Sequence, residues 1–284
     1  MFLNNLTAVI VTYKSSNILI RLVKLLQNIC KIIIVENSNN IFFKHYLERN
    51  FINTKCILTK KNLGYGAAAN IGVINSKTSI LLLINPDALI KFFSIKNLYK
   101  YILANNSCAM VAPMNFTKNN KSWTRYGFYK NKAISSSKNY IDVDYVSGHL
   151  VLVKKKIVQD VGMFDKKIFL NFEDRDLCFR LKKKNYRITV LKNSQVMHLE
   201  GKSSFDKLKS LKLLKWHFGW SIYYFYKKNF GVLYALKFTI PFLFNILLRF
   251  FFAVLLLKKN SQIAYLAQIR GLVCSFLGFR SFYR

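Results

Sequence analysis

The chain has 284 residues, of which 52% are hydrophobic, and its 45 Lys and Arg against 12 Asp and Glu give a formal net charge of +33. That length and apolar content suit one large domain, or a domain with an appendage, and exclude a disordered chain. The charge points to polyanions such as nucleic acid, anionic lipid or phosphorylated substrates, but it is mostly Lys in a chain rich in Asn, Ile and Phe, the bias of an AT-rich genome, so part of it needs no partner.

The first hundred residues alternate between short β-branched runs and helical patterns, with strands expected at 6–12, 31–35, 55–59 and 79–84 and helices at 17–28, 41–50 and 65–76. Such a βαβ series makes a parallel sheet with helices on its faces. Ligands of these sheets bind beyond the carboxyl ends of the strands. The polar clusters fall there: Thr12, Tyr13 and Lys14, then Glu36, Asn37 and Ser38, then Asn62 to Gly66, then Asn85, Pro86 and Asp87. Residues 114–140 are polar, aromatic and irregular and read as a loop over that crevice. Residues 143–153, an acidic segment, and a strand pair near 187–191 and 195–198 follow. From Ser204 the character changes, as Lys207, Lys209, Lys212 and Lys215 lead into Trp216, Trp220, Tyr223, Tyr224 and Tyr226 and then a long apolar run. This sets a boundary near 205 and two regions, 1–205 and 206–284.

Acid is scarce, so the cluster Glu173, Asp174 and Asp176 asks for a reason. In a helix from Asp174 onward, Asp174, Leu177, Cys178 and Leu181 share one face by i, i+3, i+4, i+7 spacing. Asp176 lies on another side, four residues before Arg180, where a surface ion pair explains it. Acids at a helix start also complement the macrodipole and cap free N–H groups, which is the plainer reading. Asn85, Pro86 and Asp87 close a very apolar strand, a good place for a carboxylate that holds a divalent cation against a diphosphate, although the same residues make a good turn by themselves. His198 ends a strand and could offer a neutral imidazole, but a lone His is more often structural. Glu36 can accept hydrogen bonds from a nucleobase or ribose hydroxyl, or cap the next helix. The small residues between Asn62 and Gly72 let backbone approach a bulky ligand, yet they match neither G-x-G-x-x-G nor a P-loop, and helix–sheet packing would look the same.

Five cysteines, at 30, 56, 108, 178 and 274, make no C-x-x-C pair and are odd in number, which argues for free thiols in a reducing compartment, with cytoplasm the default. No export signal is expected, since the N-terminus reads as a buried first strand. Residues 238–257 have about the 20 residues that cross a bilayer, but Pro241, Asn245 and Arg249 interrupt them, and a charge near the middle is costly in lipid. Flanking Trp, Tyr and Lys suit an interfacial belt over an anionic leaflet. Helices lying in or dipping into the membrane face, a true span, and packing on the first region are the readings open for this region.

Taken together, the residues form an ordered set. Thr7 to Tyr13, Val35 to Ser38, Asn62 to Gly64 with Asn70 to Gly72, Leu83 to Asp87, Val146 to Gly148, Val161 to Asp165, Phe169 to Arg180, and His198 occur in the order and rough spacing of family 2 glycosyltransferases. The chain most resembles the rhamnosyltransferase-like branch, over residues 6 to about 204. The resemblance implies a GT-A fold, an α/β, Rossmann-like mixed sheet flanked by helices, and the apolar helical region 206–284 beyond it is expected from its composition to associate with membrane. It implies a divalent cation, Mn or Mg, and sugar transfer with inversion at the anomeric carbon. On this resemblance Asp87 is the surviving acid of the metal-binding DxD, with Asn85 at its first position, and His198 completes the metal site. Glu36 contacts the nucleoside, where an Asp is usual, and Thr12, Tyr13, Asn62, Gly64, Asn70, Asn85 and Asp87 complete the donor-binding set. Asp174 is the base and Glu173 supports it. The donor expected is dTDP-rhamnose and the acceptor a lipid-linked saccharide, for surface polysaccharide synthesis at the cytoplasmic face of the cell membrane, with no nucleic acid partner. Another nucleotide sugar, or a basic membrane- or nucleic-acid-binding protein on a degenerate transferase fold, are the alternatives.

Overall fold

The computed structural model describes residues 2–14, 16–116, 135–198 and 207–283. It divides into two compact units, one of Met1–Asp165 with Asp174–Ser203, the other of Lys166–Glu173 with Ser204–Arg284. The segment Lys166–Glu173, expected with the first region, therefore goes with the second.

The first unit opens with β1 (Leu6–Thr12), α1 (Ser16–Leu26), β2 (Lys31–Glu36), α2 (Ile41–Asn50), β3 (Thr54–Leu58), α3 (Tyr65–Asn75) and β4 (Ile80–Ile84). Its four strands pair in parallel in the order β3-β2-β1-β4. β4 is buried along its whole length, as its unbroken Ile and Leu run requires in a sheet covered on both faces. In β1 the alternation sends Ala8 and Ile10 to a core shared with α1, α2 and a later helix, and Val9 to a core shared with Ala69 and Val73 of α3. Here α3 lies very close to β1. A Cβ at Gly72 would sit 2.2 Å from Val9 Cγ1, so Gly72→Ala should destabilise the unit by about 1–3 kcal/mol through overpacking, read as a lower urea midpoint.

The chain continues through β5 (Ala88–Ile90), α4 (Phe92–Ala104), β6 (Cys108–Phe116), β7 (Ser135–Ser136), β8 (Tyr140–Asp142), β9 (Leu150–Lys154), α5 (Lys155–Asp160), α6 (Glu173–Lys183) and β10 (Arg187–His198). β9 runs antiparallel to β4 and β6, and β6 runs parallel to β10, so the sheet is mixed, in the order β3-β2-β1-β4-β9-β6-β10-β8-β7, with β5 on β10. The strand pair expected near 187–198 is instead one strand, whose pairing with β6 slips between Leu191 and Gln195. A bulge lets polar residues leave the ladder without ending the strand. Of the loop expected over 114–140, residues 117–134 lie outside the described residues; the flanks pair as the end of β6 and as β7 and β8.

The second unit holds α7 (Lys207–Phe230), α8 (Val232–Leu255) and α9 (Lys259–Phe276). Gly231, at φ 89°, makes the tight turn between the first two. α7 and α9 cross with backbones nearly touching: a Cβ at Gly219 would lie 2.1 Å from the Gln268 carbonyl oxygen, and one at Gly271 would lie 2.0 Å from that of Trp216. The segment Lys166–Glu173 is pinned to α7. Ser221 Oγ donates to the Leu170 carbonyl (3.1 Å), Asn171 Nδ2 donates to the Leu214 carbonyl (3.1 Å), and Phe169 stacks on the buried His217 ring at 4.6 Å. Phe172 meets Phe218 edge-on. α8 buries only a stripe of Ala235, Thr239, Ile246 and Ala253, and leaves Phe244, Leu247, Leu248, Phe251 and Leu255 exposed. Among the described residues it is the one helix long and apolar enough to cross a membrane.

Candidate active site

The polar strand ends of the parallel half are tied into one edge by backbone and side-chain hydrogen bonds. Asn37, fully buried after β2, is the hub: its N–H donates to the Thr12 carbonyl (2.8 Å), its Nδ2 to Asn62 Oδ1 (2.9 Å), and its Oδ1 accepts from Thr59 Oγ1 (2.9 Å) and the Leu63 N–H (3.0 Å). Asn62 Oδ1 also accepts from the Gly64 N–H (3.0 Å). Gly64, at φ 80°, then turns the chain into α3, whose first turn has no side-chain cap. Thr12 is buried at the end of β1, while Tyr13 beside it is 44% exposed, with the Lys14 ammonium 5.5 Å from its ring centre.

Glu36 closes the next turn. Its Oε1 accepts from the Ser38 N–H (3.1 Å) and hydroxyl, and its Oε2 accepts from the Asn40 N–H (2.7 Å), while Asn40 in turn caps α2 through the Phe43 N–H (2.9 Å). These contacts tie Glu36 to the turn ahead of α2, whose N-cap is Asn40.

At the end of β4 the Asn85 N–H donates to the His149 carbonyl (2.8 Å) and the Ala88 N–H donates to the Asn85 carbonyl (3.2 Å), closing a turn that holds the Asp87 side chain buried. Turn chemistry and carboxylate placement are thus the same structure. β5 leaves this turn and pairs with β10 so that Ala88 lies opposite His198. The backbone of His198 is thereby brought next to the Asp87 turn; its side chain lies outside the described residues. Among the described residues no group of three His, Cys, Asp or Glu could hold a metal. A lone buried carboxylate at a strand end fits a cation that takes most of its oxygen ligands from phosphates and water.

Asp174 sits in the first turn of α6, on the face that buries Leu177, Cys178 and Leu181. Its Oδ1 accepts from the Arg175 N–H (2.7 Å) and its Oδ2 from the Gly148 N–H (3.0 Å). A Cβ at position 148 would lie 3.3 Å from Asp174 Cβ, so the glycine permits this approach. The Gly148 carbonyl accepts from the Tyr65 hydroxyl (3.1 Å), at the start of α3. Gly148 and His149 are adjacent, so one dipeptide bonds both the Asp174 carboxylate and the backbone of the Asp87 turn. Glu173, half-buried, is the residue before Asp174.

One residue takes another part than expected, and a second its expected part in another setting. The Asn70 amide bonds both backbone groups of Phe164, donating to its carbonyl (2.8 Å) and accepting from its N–H (3.0 Å), so it supports the Val161 to Asp165 turn in place of a donor. Asp176 does pair with Arg180, at 2.9 Å, but it is fully buried where a surface pair was expected. The Arg180 guanidinium also donates to the Val161 and Met163 carbonyls, so the pair is a staple across the Gly162 turn, which runs through positive φ at Gly162 (88°) and Met163 (57°). All the cysteines are free thiols, and burial pushes Cys30, Cys56 and Cys178 up to about 12, far from nucleophilic.

A parallel β3-β2-β1-β4 half joined to a mixed half, with its polar residues along the strand ends, defines a GT-A fold. Solved structures that share it include the mannosyltransferase PcManGT from Pyrobaculum calidifontis in complex with GDP-Man and Mn2+ (TM-score 0.60, 12% identity, 96% of this chain and 87% of that one) and GalNAc-T7 with UDP, GalNAc and Mn2+ (TM-score 0.58, 15% identity, 78% of this chain and 49% of that one). Residues 4–219 match the model of glycosyltransferase like family 2, and the chain belongs to that family. Among curated proteins it is similar to the low-salt glycan biosynthesis hexosyltransferase Agl10 of Haloferax volcanii, 22% identical over 66% of this chain, and to the dTDP-rhamnosyl transferase RfbF of Shigella flexneri, 24% identical over 71% of each chain. The match spans 64% of the length of the Haloferax protein.

Proposed function

We propose that the chain is an inverting, metal-dependent glycosyltransferase that moves a sugar, rhamnose from dTDP-rhamnose, onto a lipid-linked saccharide in surface polysaccharide synthesis. The observation that carries this reading is the bridge through Gly148 and His149, which binds Asp174 and the Asp87 turn into one strand-end edge. Mn or Mg, when bound, supplies positive charge to the diphosphate as it leaves. Asp87 holds that cation, with His198 as its second protein ligand, and Thr12, Tyr13, Glu36, Asn62, Gly64 and Asn85 line the donor side. The Glu36 carboxylate, fixed by its turn, reaches the nucleoside with the acceptor capacity its turn bonds leave.

Asp174 takes the proton of the acceptor hydroxyl as that oxygen attacks the anomeric carbon. The bond from that carbon to the diphosphate oxygen breaks, its electron pair leaving with the nucleotide. One displacement inverts the carbon and needs no covalent enzyme intermediate. Gly148 aims the base by holding Oδ2, and Glu173 supports it from the preceding residue. The similarity to a dTDP-rhamnosyl transferase supports the donor, and the similarity to a glycan biosynthesis hexosyltransferase supports the setting.

α8 supports a membrane surface as partner, in the plane of the interface, and the reading places it at the cytoplasmic face. α8 packs against α7 and α9, and α7 carries Lys209, Lys212, Lys215, Lys227 and Lys228. A crossing α8 would draw those charges into hydrocarbon, whereas an interfacial α8 buries its exposed apolar side and leaves the lysines at the headgroups.

The test is transfer from a panel of nucleotide sugars, with Mn or Mg, onto a lipid extract of the source cell. dTDP-rhamnose should be consumed fastest, chelation should stop the reaction, and Asp87→Asn should raise the metal concentration needed by roughly tenfold or more. Tight RNA binding by a chain that consumes no nucleotide sugar would overturn the proposal.

A further inference from the structure

The first unit has a concavity on the sheet face covered by α1 and α4, whereas Asp174 belongs to the face covered by α3 and α6. It is a cleft of about 1120 Å3 between α1, β5, the start of α4 and β10. Ile18, Leu22 and Leu25 of α1 line it at i, i+4, i+7 spacing, and Leu89 and Phe93 face them from the other side. Leu25 and Phe93 are 36% and 65% exposed, so apolar surface continues out to the rim. Lipid and drug-like ligands are held in such spaces, mostly apolar with a few placed polar groups.

The charged residues that line the cleft are Arg21 and Lys91, both cations, and no acid lines it. Neither forms an ion pair or a side-chain hydrogen bond among the described residues. Two unpaired cations beside an apolar lining complement a hydrocarbon chain that ends in an anion, of which phosphate is the one with charge for both. A bare phosphate leaves the lining uncovered, and an uncharged chain leaves the cations unmatched. Pro86 and Ala88, the neighbours of Asp87, form part of the wall. A headgroup in the cleft therefore lies beside the turn that carries the candidate metal carboxylate.

We infer that this cleft binds a single-chain lipid phosphate, with its chain against Ile18, Leu22, Leu25, Leu89 and Phe93 and its phosphate at Arg21 and Lys91. Its assignment to the lipid part of the acceptor rests on the transferase reading above.

Calorimetric titration of the full chain with farnesyl phosphate, with farnesol and inorganic phosphate as controls, tests the site directly. Farnesyl phosphate should bind at least about tenfold more tightly than either control, and Arg21→Glu with Lys91→Glu should weaken it by about tenfold or more. Leu25→Glu should weaken it as well, whereas Arg21→Lys with Lys91→Arg should keep most of the affinity. All of these are surface changes, and an unchanged melting temperature checks the fold. Equal binding by the charge-reversed variant overturns the inference, and so does equal competition by phosphatidylglycerol vesicles, which would mark general attraction to anionic lipid. If farnesyl phosphate binds as stated and no nucleotide sugar is consumed, the cleft stands and the transferase reading falls. Turnover of donor without farnesyl phosphate binding gives the converse.

Discussion

Asp174→Asn should lower transfer from the nucleotide sugar by about 10³-fold, within the range that a general base contributes, while the melting temperature changes little. The amide keeps one oxygen, which can accept from the Gly148 N–H, while its NH2 replaces the oxygen that accepts from the Arg175 N–H, so the bridge to Gly148 survives and a single contact in the first turn of α6 is lost. What disappears is the capacity to take a proton. Steady-state kinetics should place the loss in kcat, with KM for the donor nearly unchanged, if the donor binds on the Asp87 side as proposed. Asp174→Ala is the control for structure: it loses the Gly148 contact too and should add about 1–2 kcal/mol of destabilisation. A wild-type rate for Asp174→Asn would reduce the residue to an anchor for Gly148.

Arg180→Ala should be among the most destabilising single changes in the chain, at about 3–5 kcal/mol in urea unfolding. It leaves the fully buried Asp176 carboxylate without its cation and removes the donors that hold the Val161 and Met163 carbonyls. Asp176→Ala should cost less, because Arg180 keeps those carbonyls and is itself 19% exposed, so water can reach it. Replacing both, as Asp176→Leu with Arg180→Met, should recover part of the loss, since apolar packing of similar volume can substitute for a buried pair. If Arg180→Ala unfolds at the wild-type midpoint, the staple contributes nothing to stability.

Local pattern made the parallel half readable. β1 and α2 lie at the expected positions, because an unbroken β-branched run and an Asn cap ahead of a 3.6-residue period are signals contained within a few residues. The sheet beyond β4 was less legible. β5 is a three-residue strand straight after a turn, and the polar residues at the slip in β10 look like a loop connecting two strands. The same contrast holds in the site. Asp87 and Asp174 stand out as acids at an apolar strand end and on an apolar helix face. Asn70 and Phe164, or Gly148 and Asp174, meet across 94 and 26 residues, and nothing in local periodicity reports such partners. For that reason Asn37 is placed by the sequence among the strand-end polar residues but without its role as hub, and His149 is missed. For Asn37 the available signal was a polar residue at the end of a buried strand, beside Glu36.

The segment that precedes Asp174 has a consequence for anyone who would cut or graft this chain. Ending the polypeptide after Ser203 keeps all of the sheet but orphans Lys166–Glu173, whose partners are on α7. Phe169 and Phe172 would then face water, just ahead of Asp174. The helical region is therefore no detachable tail: a chimaera that borrows it from a relative must borrow this internal stretch as well, and a truncated enzyme with low activity would say little about the chemistry of Asp174.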